Sequence, residues 1–313
     1  MDASVPSVRC KPFWGKRSDL PLEDGFVDTY DLCGMAAARI RLPRTAIPTM
    51  SVESAQNLSQ SEIFRRIIAL RNEGSIYDLE DPILDSVFCG SADRYATIAF
   101  ALQGFSKVLD VGCGTGLLLA ILSKLGHVTH GVDIMHPADA PPPLFARHGI
   151  QYHRCNVELD TYPHRDESFD AVTCCQVMEH FTHSHLHAAR EFRRVLRPGG
   201  CVEIDVPNVA SFRNRLRLLR GKNITWDYRD HYLLTKPLFH QGHSLYPIRH
   251  NREFTRKELH LLLQEAGFHD IQVVFFKDEN YRTGMRRLLS LGSAVRNLVP
   301  GIRKSLLATA RKT

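Results

Sequence analysis

Residues 107–116 read Lys-Val-Leu-Asp-Val-Gly-Cys-Gly-Thr-Gly. The first five form a short apolar run that reads as a buried strand. Glycines follow at 112, 114 and 116, and 117–125 has the composition of an apolar helix. A strand, a glycine-rich turn and a helix start make a corner where free backbone N–H groups meet an anion or a nucleotide. The spacing narrows the ligand. A dinucleotide fingerprint, G-x-G-x-x-G, would need glycine where Leu117 stands. No lysine follows the turn, which also sets aside a Walker-type phosphate loop.

Working outward, 127–133 is a second strand ending in an acid, and 149–156 a third after a proline-broken stretch. The run 169–177 is a fourth, 179–196 a helix, and 200–206 a fifth strand. A helix over 255–266 opens with Thr255 and a capping-box Glu258 and stops at Gly267. Segment 268–277 reads as a strand and 306–310 as a terminal edge strand, with a basic helix at about 283–297 between them. Strands alternating with helices predict an α/β fold, a mostly parallel sheet covered on both faces. Upstream, 61–104 is helical and 1–60 an irregular extension rich in Pro and Ser. The core spans 105–277 and carries an insertion at 207–253 that reads as an acceptor lid, and 278–313 forms the tail.

Composition bounds the rest. In 313 residues, 43% are hydrophobic and 24% charged, which excludes a wholly disordered chain. No apolar run reaches the roughly 20 residues of a membrane-spanning helix. Asp2, Cys10, Lys11 and Lys16 break any apolar leader, so a cytoplasmic location is expected. The eight cysteines include no C-x-x-C pair and read as reduced and structural. The net charge of +6 is uneven, because residues 282–313 hold eight basic side chains and no acid. A second basic run, Arg213 to Lys222, is interleaved with Phe212, Leu216, Leu218 and Leu219. A solvated helix face is the plainer reading of such runs; phosphates, an anionic membrane surface or an acidic substrate are the sharper ones.

The stretch VLDVGCGTG (108–116) resembles the first motif of class I S-adenosylmethionine-dependent methyltransferases, near their type 11 and type 23 domains. GVDI (131–134), CNVE (155–158), FDAVTCCQVMEHF (169–181) and EFRRVLRPGG (191–200) match later segments in order. The resemblance covers about 92–277 and implies a Rossmann-like, doubly wound sheet of seven strands. It implies S-adenosyl-L-methionine as methyl donor, bound by Asp110, Gly112, Cys113, Gly114, Gly116, Asp133, Ile134, Asn156, Val157 and Gln176. Asp133 would hold the ribose hydroxyls; Asn156 stands where the family often has an acid beside the adenine. Glu179 and His180, at the end of the fourth strand, are the candidate bases, and a cap or packed ring is the bland alternative for His180. His183 and His187 lie i, i+4, but the H-E-x-x-H arrangement is absent, so no metal is expected.

The insertion supplies acceptor candidates Asn208, Trp226, Tyr228, His231, His250 and Arg252. Its pattern resembles methyltransferases of glycan and natural-product pathways, which leans toward O-methylation of a sugar or similar small molecule. Three alternatives stand beside that: an RNA or protein methyltransferase, a quinone-like lipid acceptor, and a donor-binding protein without turnover. Expected partners are thus a small-molecule or glycan acceptor, no obligatory nucleic acid, and peripheral membrane contact through the basic tail. A homodimer is compatible with the sequence and not required by it.

Overall fold

The glycine turn lies at the centre of a seven-stranded sheet. The computed structural model describes residues 58–137, 140–225, 227–276 and 298–313. The extension at 1–57, Trp226 and the helix expected at about 283–297 lie outside the described residues.

Two N-terminal helices come first. Helix α1 (Gln60–Asn72) starts at a capping box between Ser59 and Glu62, and α2 (Pro82–Ala101) starts with the Asp81 carboxylate accepting the N–H groups of Ile83 and Leu84. Asp85 on α2 ties them together, accepting from Tyr77 Oη at 2.8 Å and Arg71 Nε at 3.0 Å. The chain then runs β1 (Lys107–Val111), α3 (Leu117–Lys124), β2 (Val128–Asp133), α4 (Pro143–His148), β3 (Gln151–Arg154) and β4 (Phe169–Cys175). After α5 (His185–Val195) and β5 (Leu196–Pro207) come the insertion elements α6 (Phe212–Leu219), β6 (Leu238–His240) and β7 (His243–Leu245). Helix α7 (Arg256–Glu265), β8 (His269–Phe276) and β9 (Ser305–Arg311) complete the described elements.

The sheet order is β3-β2-β1-β4-β5-β9-β8, and β9 alone runs antiparallel to its neighbours. This corrects one expectation. The terminal strand is not an edge: β9 fills the slot between β5 and β8, and β8 is the edge. The reason is burial, because Leu306, Ala308 and Ala310 face one core layer and Leu307 the other, so both faces and both backbone edges of β9 need partners. The helix expected over 179–196 is also shorter. A 3-10 turn (Met178–His180) comes first, and α5 begins at Ser184, whose hydroxyl accepts the Leu186 N–H.

Alternation along β1 sends Leu109 and Val111 to the face packed by α5 and α7, and Val108 to the face packed by α1, α2 and α3. A cluster of histidines lies beside β2. There the His130 ring is buried, meeting Phe169 at 5.0 Å and His164 at 5.8 Å, with neither ring nitrogen hydrogen-bonded among the described residues. His164 in turn meets His153 at 5.1 Å. Burial, Lys107 and His153 push His130 down to about 4, and burial with its histidine neighbours, Lys107 and Arg194 does the same to His164. The folded values lie below the unfolded value of roughly 6.5, so the fold favours neutral rings. That stability is complete above about pH 6.5 and is lost as the pH falls toward 4. Melting temperature is expected to drop by on the order of 5 °C between pH 7 and pH 4.5 through these rings. His130→Leu should flatten that acid limb; an unchanged limb would assign it to other groups.

Candidate active site

Strands β1 and β4 are adjacent, and the chain leaves them toward opposite sides of the sheet, which opens a crevice beyond their C-terminal ends. The turn after β1 forms one wall. Gly112 has φ 75°, and a Cβ there would come within 2.3 Å of a Val177 methyl. Gly116, at φ 79°, would place a Cβ 2.0 Å from the Phe145 ring. Neither position has room for a side chain, and both need the left-handed backbone that glycine adopts freely. At Gly114 a Cβ would meet nothing within 4 Å, so this apex of the turn faces open space.

Asp133, at the end of β2, holds that apex. Its Oδ2 accepts the Gly114 N–H at 2.9 Å and its Oδ1 the Met135 N–H at 2.7 Å. Each carboxylate oxygen keeps a further lone pair for a ligand. Asp110 is buried beneath the turn, accepts from Thr173 Oγ1 at 2.6 Å, and is pushed up to about 7 by burial. Asn156 is 3% exposed: its Oδ1 accepts the Glu158 N–H at 3.0 Å, while its Nδ2 has no partner among the described residues. Ile134 and Val157 are buried hydrophobic neighbours of this region. The Cys113 side chain is spent on packing, because it covers Gly131, where a Cβ would come within 2.6 Å of Sγ. Burial pushes that thiol up, so Cys113 offers main-chain groups and not a thiolate.

The segment after β4 forms the other wall. Gln176 takes a left-handed φ of 57°, the kind of strained non-glycine backbone that clusters at functional sites. Its N–H donates to the Asp205 carbonyl and its Nε2 to Asp205 Oδ2, both at 2.8 Å. The same Oδ2 pairs with Arg94 Nε at 2.8 Å. Arg94 thus brings a partly buried cation from α2 to the end of β5.

Glu179 is fully buried, and neither carboxylate oxygen has a hydrogen-bond partner among the described residues. Burial raises its pKa well above the carboxylate range, with Asp205 adding to the effect and Arg94 opposing it. The neighbouring His180 donates Nδ1–H to the Arg249 carbonyl across 2.9 Å, which leaves Nε2 as the acceptor nitrogen. Burial and the neighbouring His250 lower His180 to about 4. The His250 ring stands edge-on to His180 at 4.8 Å. Asn251 fixes the turn, its N–H donating to Glu179 O and its Nδ2 to His180 O, each at 2.7 Å. Sequence reading missed Arg249 and Asn251; some 70 residues separate them from His180, and no local pattern marks them. Glu179, His180 and His250 present ligand atoms within 4.8 Å of one another, the one such cation-competent trio among the described residues. His183 and His187 belong elsewhere, on Glu158 and on the Asp160 carbonyl.

The side chains of Asn208 and Arg252 are engaged away from that trio, although the Arg252 N–H donates to Glu179 O. Asn208 is 1% exposed and consumed by the fold, its Nδ2 donating to the Arg303 and Gly301 carbonyls and its Oδ1 accepting the Ala210 N–H. It anchors the tail, a correction to its reading as an acceptor contact. Arg252 pairs with Glu258, the capping-box acid of α7, so its charge is drawn to the surface. Tyr228 is 66% exposed and stacks on Tyr232, and His231 accepts through its carbonyl from Arg249 Nε.

A methyltransferase domain profile matches residues 85–273, which span both walls of this crevice. The chain belongs to the methyltransferase domain family. The mouse mitochondrial ubiquinone biosynthesis O-methyltransferase is 33% identical over 159 residues, covering 48% of this chain and 41% of that protein. The enzyme of that name from Paracidovorax citrulli is 33% identical over 110 residues, covering 32% and 43%. The chain therefore spans less than half the length of the curated relatives it matches. A solved S-adenosylmethionine-dependent methyltransferase from Thermotoga maritima, described as a possible histamine N-methyltransferase, is 18% identical with a TM-score of 0.45, covering 82% of this chain and 100% of that one. Two features of the crevice are open to a ligand. The turn apex is open at Gly114, and a buried amide donor at Asn156 is unspent. No helix among the described residues of this methyltransferase is long and apolar enough to cross a membrane.

Proposed function

We propose that this protein transfers a methyl group from S-adenosylmethionine to a ring hydroxyl of a quinone-like aromatic lipid precursor. The observation that supports the reading is His180: its Nδ1–H is locked on the Arg249 carbonyl, which leaves Nε2 as the acceptor nitrogen of the neutral ring, just after the C-terminal end of β4. Its buried imidazole is a weak base, and proton transfer works best when the acid is matched to the base. An aromatic hydroxyl, with a pKa of about 10, suits such a base better than the far less acidic hydroxyl of a sugar. The relatives named for ubiquinone biosynthesis favour the same choice over the glycan acceptor that the insertion pattern suggested.

The bound donor supplies an electrophilic methyl on a positively charged sulfur. Asp133 would hold the donor's two ribose hydroxyls, because its bonds to the Gly114 and Met135 N–H groups keep it over the turn. Asn156 Nδ2, buried and unspent, would donate to the adenine edge. His180 Nε2 would take the acceptor hydroxyl's proton as the oxygen–methyl bond forms and the donor's methyl–sulfur bond breaks, its electron pair staying on the sulfur of the departing neutral thioether. Burial raises Glu179 well above the carboxylate range, which disfavours a second negative charge beside Asp205.

A second reading is favoured by the trio Glu179, His180 and His250: a divalent cation there would bind the acceptor oxygen and acidify it, replacing the imidazole as the activating group. One assay series tests both. Purified protein is supplied with labelled donor and either a water-soluble dihydroxybenzoate or a methyl glycoside, with and without EDTA. Label on the dihydroxybenzoate that survives EDTA is expected. Label only on the glycoside would overturn the acceptor, and activity lost to EDTA and restored by a divalent cation would transfer the activating role to the metal.

A further inference from the structure

The hydrogen bond that fixes the His180 ring comes from the insertion and not from the sheet: its acceptor is the Arg249 carbonyl, 69 residues on, at 2.9 Å. That carbonyl is held in place by its own side chain. The Arg249 guanidinium carbon lies 3.5 Å from the centre of the Tyr246 ring and 5.6 Å from that of Tyr232. Its Nε donates to the His231 carbonyl at 2.7 Å and its Nη2 to the Tyr232 carbonyl at 3.2 Å. Tyr232 Oη reaches back to the His250 carbonyl at 2.6 Å, and the Arg249 N–H donates to the Tyr246 carbonyl at 3.1 Å. One side chain thus clips the turn Arg229–Leu233 to the segment 246–250 that lies against His180. Arg249 has no carboxylate partner among the described residues; two rings and two carbonyls take its cation instead. A flat fork of N–H donors can stack on a ring and reach two carbonyls at once, and an ammonium cannot.

We propose that Arg249 is a positioning residue for methyl transfer: by clipping these two segments together it holds its own carbonyl on His180 Nδ1 and so keeps Nε2 unprotonated to receive the acceptor's proton. The inference rests on the reading of His180 as the base. A neutral imidazole can carry its proton on either nitrogen, and the partner of one nitrogen decides the state of the other. Without the carbonyl the proton can move to Nε2, and the base is lost with the ring still in place. The base comes just after β4, and the group that arms it comes from the insertion after β5. Three roles for Arg249 have different signatures. A clip that only supports the insertion lowers stability, a direct acceptor contact raises KM, and a positioning residue lowers kcat.

The test compares Arg249→Lys with the parent on the water-soluble dihydroxybenzoate, in the presence of EDTA. Lysine keeps the charge and loses the fork. Turnover, kcat, is expected to fall by about 100-fold, the scale for a displaced catalytic group, while acceptor KM and calorimetric donor affinity change less than about threefold. Nitrogen NMR of protein carrying labelled histidine gives an independent readout, the His180 signals being those absent from His180→Ala. The proton sits on Nδ1 in the parent and is expected to move at least partly to Nε2 in Arg249→Lys. Tyr246→Leu removes the ring beneath the guanidinium and should shift both readouts the same way, which keeps the test available if Arg249→Lys does not fold. Parent-like kcat in Arg249→Lys, a fall in kcat with the proton still on Nδ1, or a KM that rises as far as kcat falls would each overturn the proposal. Failure of the base reading is a separate result: it shows as parent-like turnover in His180→Ala, whereas the tautomer of the ring is read without turnover.

Discussion

Asp133→Ala is expected to weaken S-adenosylmethionine binding by at least about 100-fold, since two charge-assisted hydrogen bonds of about 1.5–3 kcal/mol each are removed. The same change also strips the acceptor from the Gly114 and Met135 N–H groups, so part of the loss comes from a turn that no longer holds its shape. Asp133→Asn separates these contributions, because one amide oxygen remains to cap one N–H while the charge is gone; it should fall between parent and alanine. Calorimetric titration with S-adenosylhomocysteine checks the order, and thermal melts show whether the fold is kept. Parent-like affinity in Asp133→Ala would remove Asp133 from the donor site.

His180→Ala is expected to lower kcat by on the order of 100- to 10,000-fold, the usual contribution of a positioned general base, with donor affinity unchanged. The imidazole also holds the Arg249 carbonyl, so a packing role would appear as a loss of about 1 kcal/mol in stability with turnover intact. The pH profile gives an independent readout. With His180 held down to about 4 by burial and by His250, the base is neutral at every pH above about 5. Turnover on the soluble acceptor should therefore show no acid limb near 6.5, and an inflection there would point to a different, solvated histidine. Turnover within twofold of the parent would end the base assignment.

Much of the fold was legible because it rests on local patterns. Apolar strands alternate with helices along 107–206, three glycines follow a buried strand, and Thr255 with Glu258 announces a helix start that forms as a full capping box. Glu179 and His180 were equally legible as a pair, because they are adjacent and come just after a strand whose C-terminal end lies at the crevice. The six acceptor candidates were less so. The insertion has no period to say which side chains turn inward, and Asn208 and Arg252 proved to be engaged with the tail and with α7.

The amino-acid sequence by itself determined the α/β sheet, the glycine turn with Asp133 after the next strand, and membership in a methyltransferase family. Each of these depends on residues near one another in the chain, where periodicity and backbone sterics act directly. Only the tertiary structure decided that β9 is interior, that Arg94 reaches Asp205, that Arg249 sets the His180 tautomer, and that His250 stands against His180. Those contacts join segments tens to more than a hundred residues apart. They form because buried strands need hydrogen-bonding neighbours and buried polar groups need partners, requirements that are met only when the whole chain has packed.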